Sequence, residues 1–207
     1  MKFYLSSYKM GNEVEKFKAL MPGLNKRLGY VPDALDFLSA DPKRREEGII
    51  KEMGDLQSLG FNVERLHLKD YFGRKKDLES KLSQLGGVFV RGGNTFVLRE
   101  AMKLSGFDNA IKKMIKKDFL YSGYSAGICV LAPSLEGLET MDHPEDSPYK
   151  DIQKTIWKGL GILDYMIVPH YKSDHPESAD ADKTIELYKK KNIKFKTLRD
   201  GEAIIIE

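Results

Sequence analysis

Three short stretches carry residue types that could do covalent chemistry. Gly123-Tyr124-Ser125-Ala126-Gly127 has the spacing G-x-S-x-G. A serine at that centre becomes a nucleophile when it sits on a sharp strand-to-helix turn. Small neighbours let the turn close, and the N–H after the serine points at the oxygen that turns negative during acyl transfer. The following helix adds the positive end of its dipole at the same spot. Phe119 to Tyr121 reads as a strand before the motif, and Ile128 to Ala132 as a buried apolar helix after it. Cys129 falls four residues past Ser125, on a similar helix face. It reads as a small buried residue rather than a second nucleophile.

A serine hydroxyl needs a base, and the chain has four histidines. His67 lies in an alternating strand among charges and reads as exposed or structural. His143 lies in an irregular loop. His170 ends the apolar run Tyr165 to Val168, where catalytic side chains sit in parallel sheets. It is preferred over His175, five residues on. An acid that orients the imidazole is also needed. Glu136, Glu139, Asp142, Glu145 and Asp146 crowd the segment between Ser125 and His170, and spacing does not choose among them. The third stretch is Arg91-Gly92-Gly93-Asn94-Thr95, between a strand and a helix. Its two glycines let backbone approach a ligand closely. It reads as a second oxyanion N–H or a substrate cradle, with Asn94 or Thr95 free to cap the helix. It lacks the Lys-Ser/Thr ending of a phosphate loop.

These stretches need strands and helices to hold them. Strands are expected at Lys2 to Ser6, Ala34 to Leu38, Val63 to Leu68, Val88 to Val90 and Tyr165 to Val168. Helices are expected at Asn12 to Leu20, stopped by Pro22-Gly23, then at Arg44 to Leu59, Leu78 to Leu85, Thr95 to Leu104, Phe107 to Ile115 and Ala179 to Lys191. Ser39-Ala40-Asp41-Pro42 reads as a turn. Glu136 to Lys158 reads as a long surface loop, and such loops are often functional. Phe195 to Leu198 and Ala203 to Ile206 flank Asp200-Gly201 as a hairpin would. Strand and helix alternate through most of the chain. This predicts an α/β fold with a mostly parallel sheet covered on both faces.

The 207 residues suit one domain, 1–207, with a full hydrophobic core. The 34 basic residues nearly balance the 31 acidic ones, which argues against a nucleic-acid partner. A single cysteine can make neither an internal disulfide nor a cysteine-based zinc site, so an intracellular, cytoplasmic location is expected. No apolar run approaches the roughly 20 residues of a membrane span. Metal-ligand spacing is absent, and neither metal nor organic cofactor is expected.

The motifs at 91–95, 123–127 and Val-Pro-His-Tyr at 168–171, with the closing Leu-Arg-Asp-Gly-Glu-Ala at 198–203, resemble the peptidase E (aspartyl dipeptidase) family in order and spacing. The resemblance spans nearly the whole chain. It implies a class I glutamine amidotransferase-like fold, a flavodoxin-like doubly wound sheet, and a serine peptidase acting on short peptides. It makes Ser125 the nucleophile, His170 the base, and the N–H groups of Gly93 and Ala126 the oxyanion donors, with Gly92 and Asn94 beside them. The acid it implies is Asp142, or Glu139, because this loop is about two residues longer than the family's. The chain departs from the family at Pro176-Glu177-Ser178-Ala179, where aspartyl dipeptidases carry Gly-Glu-Thr-Arg and use the arginine to read the substrate's aspartate. Aspartate specificity is therefore not expected, and Arg91 is the residue that could restore it. Another acyl-transfer hydrolase (amidase, esterase or cyanophycinase-like) and a binding protein without turnover are the competing readings. The expected partners are a small peptide and, at most, a second copy of the chain.

Overall fold

The structure is a computed structural model that describes residues 1–21, 23, 25–38, 41–150, 152 and 154–207. The expected helix stop at Pro22 and the Ser39-Ala40 part of the expected turn lie outside the described residues. Among those described there are eight strands: β1 (Lys2–Ser6), β2 (Arg27–Val31), β3 (Asn62–Arg65), β4 (Gly87–Val90), β5 (Leu120–Tyr124), β6 (Met166–Val168), β7 (Phe195–Thr197) and β8 (Ala203–Ile206). The α-helices are α1 (Val14–Leu20), α2 (Pro42–Ser58), α3 (Lys75–Ser83), α4 (Thr95–Ser105), α5 (Phe107–Met114), α6 (Ala126–Cys129) and α7 (Ser178–Lys190).

Six strands form the main sheet in the order β3-β2-β4-β5-β1-β8. All its pairings are parallel except β1 with β8. This is the α/β, flavodoxin-like doubly wound architecture expected from the sequence. The inner strands β2, β4, β5 and β1 are buried along nearly their whole length, as expected where helices cover both faces. Val88, Val90 and Tyr121 pack into one core cluster, and Phe89, Leu120 and Tyr124 into the cluster on the opposite face. No helix among the described residues is long and apolar enough to cross a membrane.

The capping chemistry is local. Asp41 accepts the Arg44 N–H at 3.0 Å at the start of α2, with Pro42 in the first turn. Asn94 Oδ1 accepts the Phe96 and Val97 N–H groups at 2.9 and 3.2 Å at the start of α4.

Two expectations are corrected. The second strand is Arg27–Val31, not Ala34 to Leu38, and residues 33–35 form a 3-10 turn. The true strand is centred on Gly29, a weak strand former, which hid it. The expected hairpin around Asp200-Gly201 does not form. β7 pairs in parallel with β6 in a separate two-stranded sheet, while β8 pairs antiparallel with β1. The segment 198–202 thus crosses between two sheets.

Candidate active site

Ser125 leaves β5 and starts α6 with φ 47° and ψ −117°. A positive φ is costly for a residue with a Cβ, and it persists only where surrounding structure imposes it. The flanking glycines show what imposes it. A Cβ on Gly123 or Gly127 would lie 2.4 or 2.2 Å from the Val90 carbonyl oxygen, so the turn is wrapped tightly around the end of β4. Within 123–127, Ser125 alone is partly open to solvent.

The glycine loop after β4 reaches the same place. A side chain at Gly92 would meet the Ser125 Cβ at 3.0 Å. Among the described residues the N–H groups of Gly92, Gly93 and Ala126 find no acceptor in the surrounding turns. They remain available to a developing oxyanion. Asn94 is otherwise employed: besides capping α4, its Nδ2 donates to the His143 carbonyl at 2.8 Å. Arg91 points away into a bidentate pair with Glu52, at 3.0 Å for both bonds, and the Tyr30 and Tyr124 hydroxyls also donate to Glu52.

His170 is 1% exposed and also has a positive φ, 59°. Its Nδ1 lies 2.8 Å from Asp200 Oδ1. Its backbone N–H donates to Ser7 Oγ at 2.9 Å. Ser6 pairs with Tyr124 across β1 and β5, strands spaced by about 4.8 Å, so Ser7 and Ser125 leave neighbouring strands at one level. Through its bond to Ser7, His170 is held at the same end of the sheet as Ser125. The Tyr8 ring lies between the Tyr124 and His170 rings, its centroid 6.0 Å from each. Burial, then the neighbouring His175, holds the His170 pKa below the ordinary imidazole value, against the upward pull of Asp200. The ring is therefore neutral near pH 7 and able to accept a proton. No hydrogen bond joins Ser125 Oγ to His170 among the described residues. In ligand-free sites such bonds are often long and tighten when substrate binds.

The carboxylates of the long loop make their hydrogen bonds to other partners. Asp142 Oδ2 accepts the Thr95 N–H at 2.9 Å, and burial pushes its carboxyl up to about 6. Glu139 Oε2 accepts the Gly137 N–H at 2.6 Å. The expected contact of Asp142 or Glu139 with His170 is therefore not present. Asp142 ties the long loop to the first turn of α4, Glu139 closes a local turn, and Asp200 lies against the imidazole Nδ1 instead. Sequence reasoning missed Asp200 because Asp-Gly is a turn signal. Its signal was the closing Leu-Arg-Asp-Gly-Glu-Ala motif.

The other side of His170 is acidic. Glu177 Oε2 stands 3.7 Å from Nε2. Its carboxyl is raised to about 7, first by burial and then by Asp142, Asp180 and Asp200. Ala179 follows where aspartyl dipeptidases carry arginine. His170, His175 and Glu177 could in principle converge on a metal ion. However, the two rings are stacked at 3.7 Å and 7°, so one ion cannot lie in both ring planes.

A second cluster supports the glycine loop. The Ala34 carbonyl accepts the Asn94 N–H at 2.9 Å. Fully buried Asp33 accepts the Leu68 and Lys69 N–H groups at 3.0 and 3.1 Å, and burial raises its carboxyl to about 7. His67 Nε2 lies 3.2 Å from both Asp36 oxygens and 3.6 Å from Asp33, which explains this cluster as an ion pair. The Asp36 bond, set against partial burial, raises the His67 pKa. This stabilisation is complete below the unfolded imidazole pKa, about 6.5, and fades as pH rises through the higher folded value. His67→Ala is expected to cost about 1.5 kcal/mol, the scale of one bond to a charged group, since Asp33 keeps its two backbone donors and Asp36 keeps the Tyr149 hydroxyl at 2.7 Å and Arg45 at 3.6 Å. Urea denaturation at pH 6 would measure the loss, and the loss should shrink at pH 9.

With this geometry in place, comparison with known proteins is informative. A family model for peptidase family S51 matches residues 5–207. The chain belongs to peptidase family S51. Among relatives, it is 34% identical over 119 residues to an uncharacterized peptidase of Listeria monocytogenes, covering 57% of this chain and 55% of that protein. It is 29% identical over 186 residues to peptidase E of Streptomyces coelicolor, covering 87% of this chain and 68% of that one. The matches to the first three curated relatives span 54 to 60% of those proteins. The fold superimposes on a crystal structure of a candidate peptidase E from Listeria monocytogenes EGD-e. The TM-score is 0.78 at 26% identity, covering 99% of this chain and 93% of the other.

Proposed function

We propose that this S51 member is a serine peptidase that hydrolyses short peptides through an acyl-enzyme on Ser125. The observation that carries the reading is the strained Ser125 turn pressed against a glycine loop, at the same end of the sheet as a buried histidine bonded to a carboxylate. In the proposed cycle, Ser125 Oγ attacks the scissile carbonyl while His170 Nε2 takes its proton. Asp200 holds the proton on Nδ1 and stabilises the imidazolium. The N–H groups of Gly93 and Ala126 receive the oxyanion. His170 then passes the proton to the leaving amine. Water, deprotonated by His170, hydrolyses the ester and restores Ser125.

The pocket chemistry supports a substrate that is not aspartate-specific. A buried substrate carboxylate needs a paired cation, because leaving it unpaired costs several kcal/mol. Arg91 is already bound to Glu52, and neither Ala179 nor Glu177 brings a positive charge. A comparison of kcat/KM for Asp-Xaa and neutral Xaa-Xaa dipeptides tests this. Turnover of neutral peptides is expected, with any aspartate preference below about a hundredfold, equivalent to about 2.7 kcal/mol. A larger preference would overturn the specificity reading. Failure of every peptide tested, together with no labelling of Ser125 by a fluorophosphonate, would overturn the peptidase itself. The reading includes a cytoplasmic enzyme, with assembly as a homodimer to be tested by sedimentation.

A further inference from the structure

The geometry points to Ser7 as a positioning residue that acts on the nucleophile's base through Asp200. This inference rests on the assignment of Asp200 as the acid in the proposed function. Ser7 lies just beyond β1 and is fully buried. Its hydroxyl proton has two acceptors in reach, Asp200 Oδ1 at 2.8 Å and the Leu198 carbonyl at 3.3 Å, and the charged, nearer one is favoured. Its lone pair accepts the His170 N–H at 2.9 Å. One oxygen thus ties the backbone of the base to the carboxylate that orients the base's ring.

The bonds around Ser7 form a closed frame. The Ser7 N–H donates to the Glu202 carbonyl at 3.0 Å, fixing the segment that carries Asp200 against β1. On the opposite side, the Asp200 N–H donates to Ser173 Oγ at 2.8 Å. Asp200 Oδ1 therefore receives two donors, the Ser7 hydroxyl and His170 Nδ1–H. A carboxylate oxygen with a single donor can swing, and Asp200 is 22% exposed, so water can compete for it. The Ser7 hydroxyl adds a second donor that holds Oδ1 in the orientation facing His170. It also draws charge from Oδ1, which weakens the hold of Asp200 on the imidazolium.

Both effects can be measured. Ser7→Ala should lower kcat/KM about ten- to a hundredfold, mostly in kcat. It should also move the acid limb of the pH profile upward, because the freed carboxylate holds the imidazolium more tightly. Ser7→Thr keeps the hydroxyl and should recover most of the rate. If the alanine variant does not fold, Ser7→Cys replaces it, since a thiol is a weak donor of similar size. The deciding comparison is made in an Asp200→Ala background. There, Ser7→Ala should cost less than a further threefold, because the group through which it acts has gone. A wild-type rate and unmoved limb in Ser7→Ala or Ser7→Cys would overturn the inference. Full additivity with Asp200→Ala would also overturn it, leaving Ser7 a packing residue. A silent Asp200→Ala would instead overturn the assignment of the acid, so the two failures are distinguishable.

Discussion

Ser125→Ala is expected to abolish peptide hydrolysis, lowering kcat by at least about 10⁴-fold, while the protein keeps its fold. The rate loss follows from the proposed covalent route. Without an oxygen at this position no acyl-enzyme forms, and what survives is the modest acceleration that oxyanion donors and binding give to direct attack by water. The fold should survive because Ser125 contributes no side-chain hydrogen bond among the described residues, and alanine bears the positive φ no worse than serine does. Measurement needs single-turnover assays on protein free of host peptidases, with circular dichroism as the control. Activity within tenfold of the parent would remove Ser125 from the mechanism. The same variant should lose fluorophosphonate labelling.

The second large effect separates the carboxylates. Asp200→Ala is expected to lower kcat/KM by about 10³- to 10⁴-fold, the scale on which a base of this kind loses its tautomer and its counter-charge. Asp142→Ala should instead act on stability, by about 1–2 kcal/mol, because its oxygen accepts one backbone N–H. The pH profile adds a signed test. Asp200 raises the His170 pKa, so its removal should shift the acid limb of any remaining activity downward. A large loss in Asp142→Ala with a mild one in Asp200→Ala would return the acid to the long loop, where the sequence first placed it.

How much of the site could be read from sequence depended on how far apart its parts lie along the chain. The Ser125 turn is local. Its strand, its glycines and its helix are contiguous, so five residues announce it. The capping role of Asn94 was equally visible as an alternative. Asp200 was not, because its neighbours are Ser7, 193 residues away, and His170, 30 residues away. An Asp-Gly pair looks the same whether it makes a hairpin or joins two sheets. The rule that picked out His170 as a strand-end residue did so on an incomplete premise, since β6 lies outside the main sheet. The second strand was hidden by Gly29, whose place between β3 and β4 is fixed by tertiary pairing rather than propensity.

The route of the segment 198–202 bears on how the molecule acquires activity. Asp200 meets its partners only when β8 has docked against β1, a contact between distant parts of the chain. Such contacts carry the largest loop-closure cost and tend to form late. During refolding, the Ser125 turn can be complete while the imidazole still lacks its acid. Helical signal should therefore return before hydrolytic activity, and a chain whose last strand has peeled away would keep most of its core yet be catalytically silent. Under the proposed function, turnover would report on the closure of one edge of the sheet.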